Sequence, residues 1–102
     1  MISCINLFRK DPTISDNDFD VFLNDVYAPL CLQIPGIESF EFDRVTAKEQ
    51  GDASSEAILA DAFTIERYVD LDAYEQARGS DAYAAVLRER VNAVVYEETY
   101  VC

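Results

Sequence analysis

Phe19-Asp-Val-Phe22-Leu-Asn-Asp-Val-Tyr27-Ala-Pro29-Leu-Cys31-Leu-Gln-Ile-Pro35-Gly-Ile37-Glu-Ser-Phe-Glu-Phe42 changes its hydrophobic period once, and the change sets the fold. Just before it, Ser15 offers an N-cap, with Asp18 three residues on as a variant of the capping box. Phe19, Phe22, Leu23, Val26 and Leu30 then follow at helical spacing. Pro29 falls inside that pattern, where a missing N–H and a ring clash predict that the helix bends or ends. Pro35-Gly36 supplies a turn. From Ile37 to Val45 the period becomes two, with Phe40 and Phe42 on one face and Glu41 and Asp43 on the other, so a strand begins at once.

Residues 2–9 also alternate and are closed by Lys10-Asp-Pro12, which predicts a first strand. Its Ile2, Cys4 and Phe8 point one way and Ile5 and Leu7 the other, so it should be covered on both sides. Beyond Val45, residues 47–55 read as a polar loop around Gly51-Asp52, leading to a third strand within residues 56–69. A join this short implies an antiparallel pair. Asp70 can cap a helix through Leu71, Tyr74 and Ala77, which breaks at Gly79-Ser80. Ser80 can cap a second piece carrying Tyr83, Val86 and Leu87. A β-rich run from Val91 to Val101 closes the chain. The order βαββαβ is the α+β, ferredoxin-like arrangement, a four-stranded antiparallel sheet with its helices on one face, in a single domain over residues 1–102. The other face then needs a cover, and a two-fold homodimer packing sheet against sheet provides one.

The chain has 102 residues, half of them apolar, enough for one core and no second domain. Twenty acidic residues against eight basic ones give a formal charge of −12, a field that repels phosphate backbones and anionic lipid. Nucleic acid and membrane surfaces are therefore not expected as partners. No apolar run is long enough to span a bilayer, and Arg9 and Lys10 follow the first apolar stretch, the wrong order for a secretory signal; the expected location is cytoplasmic. Cys4, Cys31 and Cys102 show no CxxC spacing and read as free thiols. Cys4 suits a small buried hydrophobe, whereas Cys31 at the helix end is a candidate for thiol chemistry if it is exposed. Residues 16–20 superficially resemble a calcium loop, but Val21 stands where Gly is required and Tyr27 where Glu is required. Their carboxylates suit the positive end of a helix dipole. With no His, no glycine-rich phosphate loop, no nucleophile elbow and no metal-ligand cluster, neither metal nor cofactor is expected.

Arg9-Lys-Asp-Pro-Thr-Ile-Ser15, Tyr27-Ala-Pro-Leu30 and Ile34-Pro-Gly-Ile37 together resemble the EthD-like members of the dimeric α+β barrel superfamily. Val69-Asp-Leu-Asp-Ala-Tyr-Glu-Gln-Ala-Arg78 and Ser80-Asp-Ala-Tyr83 resemble that family's second helix, so the likeness covers nearly the whole chain. The resemblance implies a barrel built from two sheets, one per subunit, with a mostly apolar pocket between sheet and helices. Relatives of this fold include cofactor-free oxygenases, aromatic cyclases, lactone isomerases, haem-degrading enzymes and accessory proteins, so fold does not fix function. Family members often carry His before the Ala-Pro-Leu, and here that position is Tyr27. His-based acid/base chemistry and haem ligation through His are thereby left without their usual group.

Tyr27 is the candidate catalytic residue, a phenol able to donate a hydrogen bond to a substrate oxygen. Asn6, polar within an apolar strand, could point at a ligand. Arg9 could hold an anionic group, Tyr83 and Tyr96 could line the pocket, and Cys31 could edge it. Asp61 and Glu66 are expected within the third strand and exposed; buried, either would gain a raised pKa and could serve as a base. The implied function is a small cofactor-free enzyme, an isomerase, cyclase or oxygenase, acting on an apolar or aromatic metabolite. The alternative is a non-catalytic accessory or ligand-binding module of the same fold.

Overall fold

The computed structural model describes residues 1–46 and 60–102. The polar loop expected over residues 47–55, and residues 56–59 of the region expected to hold the third strand, lie outside the described residues. Four strands, β1 (Ile2–Lys10), β2 (Ile37–Arg44), β3 (Ala62–Tyr68) and β4 (Val94–Val101), form one sheet in the order β2-β3-β1-β4. Every neighbouring pair is antiparallel. The first crossover is a helix in three parts, α1 (Asp16–Val21), a π-helical turn (Phe22–Tyr27) and α2 (Ala28–Cys31), and the second is α3 (Leu71–Arg78) followed by α4 (Asp81–Arg90). This is the expected βαββαβ arrangement. Among the described residues no helix is long and apolar enough to cross a membrane.

The helix starts follow the caps read from the sequence. Ser15 Oγ accepts from the Asp18 N–H at 3.0 Å, Asp70 from Ala73 at 2.8 Å and Ser80 from Tyr83 at 3.1 Å. The helix does not stop at Pro29. It widens one turn earlier, where the Ala28 N–H reaches the Leu23 carbonyl five residues back, and then continues to Cys31. A wider turn moves the carbonyl that the proline ring would otherwise strike, so the missing N–H is absorbed without a break. Gly36 closes the following turn at φ 81°, a left-handed conformation that a side chain disfavours.

Alternation along β1 puts Cys4, Asn6 and Phe8 beneath the helices and Ile5 and Leu7 on the far face. Across β3, Ala62, Thr64, Glu66 and Tyr68 are the buried set. The core therefore lies between the sheet and the helices, where Phe8, Phe19, Leu23, Tyr27, Cys31, Tyr68 and Val86 are all wholly buried. The far face carries Ile5, Leu7, Phe63 and Ile65, paired across the central strands and half-buried. Beside them, Tyr96 and Tyr100 of β4 both donate to Glu98, at 2.8 and 2.7 Å. Phe8→Ala should cost roughly 3–5 kcal/mol through lost burial and a cavity under α4. Urea unfolding followed by circular dichroism measures this; a loss under 1 kcal/mol would place Phe8 outside the core.

Candidate functional site

The helix-facing side of the sheet holds more polar groups than a packing layer needs. Asn6, Thr64, Glu66 and Arg90 are at most 5% exposed, and all lie on this side. Each buried polar group must recover the hydrogen bonds it loses with water. Asn6 does so within the sheet, donating to Thr64 Oγ1 at 3.0 Å and accepting from Thr99 Oγ1 at 2.7 Å. One amide thus links β3, β1 and β4.

Tyr27 is fully buried beneath α4, its ring edge-on to Phe8 at 5.6 Å and tilted against Phe22 and Phe40. Its hydroxyl accepts from Arg90 Nε at 3.1 Å and Nη2 at 2.8 Å, while Arg90 Nη1 binds Glu97 Oε2 at 2.5 Å. The guanidinium also lies over the Phe8 ring, 5.2 Å from its centre. Burial raises the Tyr27 pKa well above that of a free phenol, with the neighbouring Cys31 adding to the effect and Arg90 opposing it. Tyr27 is therefore a neutral phenol whose oxygen is already engaged.

A second arginine organises the other end. Arg78 of α3 lies between the rings of Tyr74 and Tyr83, 4.7 and 4.6 Å from their centres, and donates to the Tyr83 hydroxyl. It also donates to Cys4 Sγ at 3.2 Å. Burial, then the charge of Glu66, pushes the Cys4 thiol up to about 11. The same two causes push Cys31 up to about 12, and Cys31 is wholly buried. The expectation of an exposed, reactive thiol at Cys31 is thus corrected: the helix runs past Pro29 and carries Cys31 into the core, where a thiolate is disfavoured.

Glu66 lies between these two ends. The expectation of exposure fails for it, because β3 presents its even-numbered residues to the helices and Glu66 is 1% exposed. Desolvation raises its pKa, with the charges of Arg78 and Arg90 and a hydrogen bond with Cys4 working in the opposite sense. Its Oε1 has no hydrogen-bond partner among the described residues. Asp61 lies just before β3, accepting the Lys10 N–H at 2.8 Å.

Of the residues singled out in the sequence, Asn6, Tyr27, Cys31 and Tyr83 come together on the helix side. Arg9 and Tyr96 do not: they pair with each other on the far face, and both are exposed. Sequence reasoning passed over Arg78 and Arg90 altogether. Their signal was positional, since each ends a helix whose apolar stripe faces the sheet.

The pH dependence of stability tests the burial of Glu66. A carboxyl whose folded pKa is raised contributes fully below its unfolded value of about 4.3, and the contribution is lost as pH rises through the folded pKa. Glu66→Gln, always neutral, should match the wild type near pH ~4 and become progressively more stable than it toward pH ~8. Urea midpoints across that range provide the measurement, and parallel curves would mean that Glu66 is ionised freely in the fold.

Among curated proteins, none matches this sequence. Solved structures share the architecture, among them the following three. An ethyl tert-butyl ether degradation (EthD) family protein from Bacillus halodurans is 19% identical, with a TM-score of 0.81 over 100% of this chain and 96% of that one. A dimeric ferredoxin-like protein of unknown function from Thermobifida fusca is 16% identical, with a TM-score of 0.71 over 99% and 88%. SnoaB, a cofactor-independent oxygenase from Streptomyces nogalater, is 14% identical, with a TM-score of 0.70 over 99% and 89%. At these identities the likeness shows the fold, a ferredoxin-like α+β arrangement with one four-stranded antiparallel sheet. The family model of REDY-like protein HapK matches residues 2–101, so the chain belongs to the REDY-like HapK family.

Proposed function

We propose that this protein is a homodimer that holds an apolar or aromatic small molecule between its sheet and helices and acts on it without a cofactor, by isomerisation, cyclisation or oxygenation. The observation that carries the reading is the row of buried polar groups, Asn6, Thr64, Glu66 and Arg90, set among aromatic rings on the helix side. A layer serving packing alone is more stable when apolar, because desolvated polar and charged groups rarely recover their full cost. Polar groups converging within an apolar wall are instead how small-molecule sites fix orientation. That a cofactor-independent oxygenase shares the fold supports cofactor-free chemistry as one outcome. Three free cysteines agree with a reducing, cytoplasmic setting.

The homodimer is supported by the far face of the sheet, where Ile5, Leu7, Phe63 and Ile65 form an apolar strip flanked by Tyr96 and Tyr100. A second copy laid across this strip would remove it from water, and the T. fusca relative is dimeric. A second functional reading, a ligand-binding module without turnover, is favoured by the Tyr27 hydroxyl being taken up by Arg90. Tyr27 then acts through Arg90 as a positioning residue.

Two measurements test these readings together. Light scattering on the eluting protein should give twice the chain mass, falling to one chain for Ile65→Lys; a wild-type monomer would remove the dimer. Thermal denaturation with a panel of phenols, indoles and naphthols should raise the wild-type midpoint by a few degrees for at least one compound near saturation. No shift across the panel, with none in ligand-observed NMR, would remove the interior binding site.

A further inference from the structure

Among the described residues, Glu66 carries the one buried side-chain oxygen on the inner face without a hydrogen-bond partner. It stands in the middle of β3, opposite Cys4 of β1 and Phe40 of β2. Cys4, its partner across the strands, accepts from Arg78 Nη2 at 3.2 Å. The Glu66 Oε1 has no partner among the described residues although the residue is 1% exposed. Cys4 and Phe40 lie beside it on the neighbouring strands and Thr64 and Tyr68 lie two residues to either side on the same face, so it occupies the centre of the inner layer. Leaving such an acceptor bare costs the desolvation of the oxygen with no return from the fold itself. A methyl or methylene group there would be cheaper.

We propose that Glu66 Oε1 is the ligand-facing acid/base of this protein, and that its ligand is an apolar ring bearing an O–H or N–H. This rests on the reading that small molecules occupy the helix–sheet interior, and it names their class. The aromatic walls beside Glu66, Phe40 and Tyr68 on the sheet and Tyr27 above, match a flat ring. Arg78 and Arg90 oppose a cation and favour a ring that becomes anionic. In the step itself the ligand O–H or N–H bond breaks, its electron pair stays on the delocalised ring, and a new O–H bond forms on Oε1. Returning that proton to a ring carbon completes a tautomerisation, with no oxidant or reductant consumed.

The matched probes 2-naphthol and 2-methoxynaphthalene differ only by the donor. Titrated by ligand-observed NMR, the wild type should prefer 2-naphthol by roughly tenfold or more, as a hydrogen bond to an otherwise unpaired buried acceptor implies. Glu66→Met should reduce the preference to within about threefold while folding at least as stably as the wild type, because a bare buried carboxyl is lost. Glu66→Gln keeps an acceptor of the same shape and guards against a folding defect in the first variant. In D2O the wild type should speed replacement of the C1 proton of 2-naphthol, and Glu66→Gln should not. Equal binding of the two probes, or a preference that survives Glu66→Met, overturns the role of Glu66 and leaves the interior site standing. Unaccelerated exchange overturns proton transfer. Binding of neither probe overturns both the inference and the interior site beneath it.

Discussion

The guanidinium of Arg90 joins both helical crossovers to the sheet. Two of its N–H groups bind the Tyr27 hydroxyl on the first crossover, a third binds Glu97 on β4, and its face covers Phe8 on β1. An arginine serves here because one planar group can donate in several directions and stack at once, which a lysine cannot. The charge is tolerated in the interior because each of these contacts offsets part of its desolvation. With Arg90 in place, the position of Tyr27 is fixed by the protein itself, and the aromatic layer of Phe8, Phe22 and Phe40 closes around it.

The charge distribution gives this interior a character opposite to that of the surface. The chain carries a formal charge of −12 and only eight basic residues, yet two of these, Arg78 and Arg90, flank Glu66. Elsewhere basic groups are spent on the outside, as where Arg44 meets Asp20 at 2.6 Å. An anion forming in the interior would meet the nearest positive charge on the molecule, screened by the fold from the acidic exterior.

The element order, the caps at Ser15, Asp70 and Ser80 and the double-faced character of β1 were all legible in the sequence. Each depends on local pattern, and local pattern is what a sequence states directly. The phase of β3 was not legible. Phe63 and Ile65 are more apolar than Thr64 and Glu66, and a rule that puts the apolar set inward would turn the strand over. The rule fails because both faces carry apolar residues, Phe63 and Ile65 on one and Ala62 and Tyr68 on the other, so the pattern of two does not say which set is buried. The same ambiguity hid the candidate site: once Glu66 was assigned to the surface, neither Arg78 nor Arg90 had any reason to attract notice. Tyr27 was found only because a family resemblance marked its position, and its engagement by Arg90, 63 residues away, is a tertiary fact.

The π-helical turn has a geometric consequence for the first crossover. Phe19, Leu23, Tyr27 and Cys31, the four wholly buried residues of that helix, are spaced by four every time. In an unbroken α-helix each step of four overshoots a full turn by about 40°, so the last of them would have swung some 120° round the axis from the first. The wide turn takes up the surplus, and the four side chains stay in one straight file above the sheet. The proline motif and the buried tyrosine are therefore a single device. The turn that accommodates Pro29 also aligns Tyr27 with Phe19 and brings its hydroxyl within reach of the second crossover.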